Sequence, residues 1–75
     1  MSYITDIEIR NALISRAERH CAAAKTSFSA ISSVATKDSK TLARIKSGEN
    51  FTLETYARLM AHLDDLEAAL AGAAE

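Results

Sequence analysis

The chain has no proline and no tryptophan, only two glycines, Gly48 and Gly72, and a single cysteine, Cys21. Each scarcity removes a class of answer. Strands need turn residues between them, and this chain has almost none, so an all-α domain is expected. One cysteine allows no internal disulfide and no cysteine cluster for zinc, which fits a reducing, cytoplasmic setting. No charged-then-apolar leader opens the chain. No apolar run approaches the ~20 residues that span a bilayer, so no membrane partner is expected. No nucleophile–base pairing and no glycine-rich phosphate loop can be picked out. An enzyme is therefore not expected, no cofactor is called for, and no small-molecule substrate is implied.

What is present is one short domain, residues 1–75, with nearly half of its residues apolar. That length is close to the lower limit for a self-sufficient core, and such chains often gain stability by pairing with a second copy. The net charge of −1 conceals a split. Residues 1–24 are neutral overall. Residues 25–48 carry Lys25, Lys37, Lys40, Arg44 and Lys46 against Asp38 alone, a net +4. Residues 49–75 carry Arg58 against six acids, a net −5. Such a field orients a small protein with one face toward phosphate.

The apolar periodicity predicts successive helices. Thr5 is placed to cap a first helix starting at Asp6, with Glu8 in the capping-box position. Its expected buried stripe is Ile7, Ile14, Ala17, Cys21 and Ala24, widened by Ile9 and Leu13, with Arg10, Arg16, Glu18 and Arg19 mostly outside it. Ser27 caps a second helix, Phe28–Ala35, with Ile31, Val34 and Ala35 inward. Asp38 caps a third, Ser39–Ser47, with Leu42 and Ile45 inward, and Gly48 stops it. Phe51 is expected under the following loop. Thr52 caps a fourth helix with Glu54 in its first turn. Along that helix Tyr56, Leu59, Leu63, Leu66, Leu70 and Ala73 follow a heptad spacing. Leu53, Tyr56, Ala57, Met60 and Leu63 are assigned to the core. Leu66, Ala69 and Leu70, within a C-terminal tail spanning 64–75, are left as a dimer contact. The alanine-rich end, Ala68–Glu75, is expected to be loosely ordered at its last few residues.

The stretch 27–48 is the centre of the functional reading. Two short helices across a tight turn leave the second protruding, with a width that fits the DNA major groove. Once Leu42 and Ile45 face in, periodicity turns Ser39, Lys40, Ala43 and Arg44 outward, flanked by Lys37 and Lys46. Every long outward side chain is basic except Asp38, whereas a solvated face normally mixes Glu with Lys.

The joint register of Ser27, Ile31, Ser32, Ala35, Leu42, Ile45 and Gly48, followed by Phe51-Thr52-Leu53-Glu54-Thr55, resembles the Cro/C1-type (Xre-like) helix-turn-helix family. It is most similar to the short alphaproteobacterial or phage type, through His20-Cys21, Ala35-Thr36-Lys37-Asp38 and Leu42-Ala43-Arg44-Ile45-Lys46-Ser47-Gly48. The resemblance spans roughly residues 12–64. It implies a compact four- to five-helix, lambda-repressor-like domain. It also implies base contacts from Ser39, Lys40, Ala43 and Arg44, with Arg44 reading a guanine edge, a contact worth ~1–3 kcal/mol. Phosphate contacts fall to Ser27, Ser29, Lys37, Lys46 and Asn50. Four positions depart from the family pattern: Ser32 stands for a small alanine, Thr36 for the turn glycine, Lys37 for an apolar residue and Phe28 for a polar one.

Bland readings apply elsewhere. His20 and His62 lack further ligands for a metal, Cys21 is a small core residue, Asp64-Asp65 is a solvated face, and Tyr3 belongs to a frayed end or a packing contact rather than a DNA arm. The expected function is a cytoplasmic transcriptional regulator, a repressor, binding double-stranded DNA at a palindromic operator as a homodimer. The alternatives are a helical protein-interaction module and the antitoxin of a toxin pair.

Overall fold

A computed structural model describes residues 3–73, with side chains described from Thr5 to Gly72. It is all-helical apart from one short ladder. The elements are β1 (Tyr3–Ile4), α1 (Ile7–Ala24), α2 (Phe28–Thr36), α3 (Thr41–Ser47), β2 (Phe51–Thr52) and α4 (Leu53–Ala73). α2 packs on α3 and α4, and α1 crosses α3 and α4. The core is Leu13, Ile14, Ala17, Ile31, Leu42, Ile45, Phe51, Leu59 and Leu63.

The two strands were not expected. β1 pairs antiparallel with β2, Tyr3 opposite Thr52 and Ile4 opposite Phe51. The backbone at Tyr3 is therefore paired rather than frayed, and its side chain lies outside the described residues. Two residues per strand need no turn punctuation of their own, because α1 to α3 form the connection. That is why glycine and proline content gave no sign of the ladder. Phe51 is buried within this strand rather than beneath a loop.

Helix ends follow local chemistry. Asp6, not Thr5, caps α1, with its carboxylate accepting from the N–H groups of Glu8 at 2.8 Å and Ile9 at 3.2 Å. A carboxylate is among the strongest N-caps and faces the positive end of the helix dipole. α1 ends with Lys25 left-handed at φ 54°, and the Thr26 N–H closes onto the Cys21 carbonyl at 3.1 Å. The Ser27 hydroxyl caps α2 by accepting from the Ala30 N–H at 3.2 Å. The Thr52 hydroxyl accepts from the Thr55 N–H at 3.2 Å at the start of α4. α4 remains helical through Ala73. Ala74 and Glu75 lie outside the described residues.

Three packing faces are rotated from expectation. On α1 the buried side chains are Leu13, Ile14, Ala17 and His20, while Ile7 is 67% exposed and Ala24 is exposed. On α2 the face is Phe28, Ile31, Ser32 and Ala35, a clean i, i+3, i+4, i+7 set. Val34 sits roughly 110° from the centre of that face at 100° per residue and is 67% exposed. On α4 the heptad run from Tyr56 to Leu66 is the core face, and Leu70 is exposed. Leu59 and Leu63 are fully buried, and Tyr56, Met60 and Leu66 pack against them. Leu53 is 64% exposed and Ala57 is exposed, so neither belongs to the core. Leu66, assigned above to a dimer contact, finds its partner within its own chain.

Candidate nucleic-acid interface

The helix pair α2–α3 is fastened by hydroxyls as much as by apolar contact. Ser32 is fully buried, and its Oγ accepts a hydrogen bond from the Leu42 N–H at 3.1 Å. That N–H is one of the unpaired donors at the start of α3, where an orphaned buried group would cost about 1–3 kcal/mol. An alanine at this position could not supply this bond.

At the turn, Thr41 donates its hydroxyl to the Asp38 carbonyl at 3.0 Å. The Thr36 proton is then shared between the Thr41 oxygen at 2.8 Å and the Ser32 carbonyl at 2.9 Å. Thr36 stays helical as the last residue of α2, and Lys37 takes the left-handed backbone, φ 61° and ψ 18°. The reversal expected at Thr36 thus falls one residue later.

Asp38 does not cap α3 directly. Its Oδ1 accepts from the Lys40 N–H at 3.0 Å and its Oδ2 from Arg44 Nη1 at 2.8 Å. The Lys40 N–H, then the Arg44 charge, hold the Asp38 carboxyl below the usual carboxylate range. Helix α3 accordingly begins at Thr41 rather than Ser39, and Ser39 and Lys40 belong to the preceding turn.

Leu42 and Ile45 are buried, and Ala43, Arg44, Lys46 and Ser47 are exposed with Lys37, Ser39 and Lys40. α3 ends in a Schellman turn: Gly48 is left-handed at φ 110°, its N–H reaches the Ile45 carbonyl, and the Glu49 N–H reaches the Arg44 carbonyl. No atom lies within 4 Å of a β-carbon built at Gly48, so glycine is required by the backbone angle and not by space.

The expected site residues fall into two groups. Lys37, Ser39, Lys40 and Arg44 surround Asp38 at the turn, while Ala43 faces solvent beside them. Lys46 turns the other way. Its Nζ pairs with Glu18 of α1 at 3.2 Å and lies 5.8 Å from the centre of the ring of Phe28, which Ser27 and Ser29 flank in sequence. Ser27 already spends its hydroxyl on the α2 cap, and Ser29 is exposed. Asn50 is exposed in the segment between α3 and β2, away from either group in sequence.

Sequence reasoning missed three residues. Thr41 joins the turn network, Ser32 bonds α3, and Arg10 reaches from α1 to the end of α3. For Ser32 and Arg10 the signal was present. Each completes an i, i+3, i+4, i+7 set with the buried residues of its helix, Arg10 with Leu13, Ile14 and Ala17. A polar residue in register with an apolar stripe is a candidate for a buried structural bond.

Among the described residues no three of His, Cys, Asp or Glu gather at a place able to hold a metal ion. No described helix is long and apolar enough to cross a membrane. Burial, then the nearby Glu18 charge, push the Cys21 thiol up, away from a reactive thiolate. Comparisons with protein-family models, with curated proteins and with solved structures return no match.

Proposed function

We propose that the protein is a sequence-specific DNA-binding regulator of the Cro/C1 helix-turn-helix type, with a lambda-repressor-like arrangement of helices, acting as a repressor. One observation carries the reading. A short helix, anchored on its inner side by Leu42 and Ile45 and at its first turn by Ser32, leaves Arg44 exposed beside Lys40 of the turn, with Lys46 exposed on the side toward α1 and the start of α2. In the major groove, Ala43 and Arg44 face base edges. Lys40 and Ser39 approach from the turn, and Lys37, Lys46, Ser27, Ser29 and Asn50 address phosphates.

In the free protein Arg44 is bonded to Asp38. Both side chains are about half exposed, so the pair opens to a guanine edge at little cost. A two-fold dimer would place two such helices about one DNA turn apart, ~34 Å, on a palindromic site. With Leu66 in the core, Leu70 and Ala69 of α4 are what remains of the expected dimer surface. Neighbouring apolar exposure comes from Val34, beside an open cleft of about 270 Å³ between α1, α2 and α4. The same exposure is what favours the second reading, a helical protein-interaction module.

Salt separates the two. A regulator that neutralises several phosphates loses affinity steeply as salt rises, with a slope of about −0.9 per phosphate, and Lys46→Ala lowers that slope by about one. Arg44→Ala weakens binding to the preferred sequence far more than to random DNA. Binding that is indifferent to salt and to both substitutions contradicts the reading. Leu70→Asp dissociates the dimer in sedimentation, and an intact dimer would remove α4 as its interface.

A further inference from the structure

Arg10 is a long charged side chain of α1 that reaches backbone at the end of α3. Its Nη1 donates to two backbone carbonyls, Ile45 at 2.6 Å and Glu49 at 2.7 Å. Its guanidinium carbon lies 5.5 Å from the centre of the buried Phe51 ring. One group therefore touches the last turn of α3, the segment that follows it, and the strand β2. The carbonyls at a helix C-terminus carry the negative end of the dipole and lack partners within the helix. A guanidinium meets both needs and stacks on an aromatic face, which an ammonium does less well.

α3 has only seven residues, too few to hold its own shape or direction. Its start is tied to α2 through Ser32 and Thr41. Among the described residues its end has one side-chain tie from outside the helix pair that reaches backbone, and that tie is Arg10.

We infer that Arg10 is a positioning residue that fixes the direction of α3 and the path of Gly48–Asn50 relative to α1 without itself touching a ligand. Functionally this rests on the DNA-binding reading, because the aim of α3 matters only if α3 docks. Arg10 is half-buried, and its Nη1 is committed to two carbonyls of the protein's own backbone.

The test has one arm without DNA and one with it. Backbone amide residual dipolar couplings are measured for the wild type, Arg10→Met, which keeps an apolar stem, and Arg10→Lys, which keeps the charge but loses the planar fork. All are recorded at a temperature where each is folded. The couplings of residues 42–49 should shift as a block against those of α1 and α4 in Arg10→Met, with partial recovery in Arg10→Lys. Amide exchange at Gly48 and Glu49 should rise in the same order. If Arg10→Met proves unfolded, the Arg10→Lys and Phe51→Leu proteins carry the comparison. Couplings that superimpose on the wild type in a folded variant overturn the inference, even if the melting temperature drops.

In the DNA arm, Arg10→Met should lose roughly tenfold in affinity for the preferred site, the lower end of what one mismatched base pair costs, with an unchanged salt slope. A slope reduced by about one would mean that Arg10 meets a phosphate, and would overturn the inference. Shifted couplings in a protein that selects no DNA leave the positioning role standing and remove the DNA reading instead.

Discussion

The two helix pairs of this domain are joined by different physics. α1 and α4 meet through Leu13, Ile14, Ala17, Leu59 and Leu63, with one polar feature at the rim. There Arg16 donates from Nε to Glu67 at 2.7 Å and also pairs with Asp64. α2 and α3 meet through Ile31, Leu42 and Ile45 of the same core, and also through a chain of hydroxyls and carbonyls at Ser32, Thr36, Asp38 and Thr41. Apolar burial is non-directional and tolerates substitutions of similar volume. Hydrogen bonds at fixed backbone positions do not. One pair supplies stability, and the other supplies an angle. On the DNA-binding reading proposed above, α3 needs the second more than the first.

The strongest way to probe the difference is in the core. Leu59→Ala in α4 is expected to cost ~2–5 kcal/mol, while Leu59→Met costs less than about 1.5 kcal/mol and leaves DNA binding intact. Urea unfolding with binding measured in parallel checks both. Next is Ser32→Ala. It leaves the Leu42 N–H buried without a partner and should cost about 1–3 kcal/mol. Amide exchange should accelerate first at Leu42 and the first turn of α3 rather than uniformly. Uniform acceleration would mean that α2–α3 is held no differently from α1–α4.

The turn gives a smaller effect of opposite sign at adjacent positions. Lys37 is left-handed, and Thr36 is helical with its hydroxyl engaged. Lys37→Gly should stabilise by about 1 kcal/mol, the strain of a left-handed side chain. Thr36→Gly should destabilise by losing both helix propensity and the shared proton. Thermal melts distinguish them, and equal signs would refute the assignment of the turn.

The smallest effect is electrostatic. The folded protein favours ionised Asp38, whose carboxyl lies below its ordinary value. Its contribution is present above the unfolded value near ~3.9 and is lost as pH falls through the folded value. Wild type should therefore lose stability more steeply than Asp38→Asn at acid pH, and the two should run parallel above about pH 5.

The sequence made much of this legible, and where it did not the reason is physical. Caps are local, so Ser27, Gly48 and Thr52 could be assigned from neighbouring residues. The inner pair Leu42 and Ile45 followed from spacing. The rotation of α1 and α2 did not, because each helix carries more apolar residues than its packed face accepts. Ile7 and Val34 were exposed once neighbouring helices chose Leu13 and Phe28 instead. Among the site residues, exposure of Lys40, Ala43 and Arg44 was readable from periodicity. The pairing of Arg44 with Asp38 and the reach of Lys46 to Glu18 were not, since both depend on where flexible side chains end. Ser32 and Arg10 are polar residues on apolar stripes, and spacing alone does not separate a small or outward side chain from one that bonds a backbone group 35 residues away, as Arg10 does, or 10 away, as Ser32 does.

The central claim is that α3 reads DNA, and selection of bound sequences from a random duplex pool tests it most directly. The account predicts enrichment of a palindrome with half-sites about one helical turn apart, ~34 Å, lost at its guanine-bearing positions with Arg44→Ala. No enrichment, or a site that survives Arg44→Ala and Lys40→Ala unchanged, would contradict it.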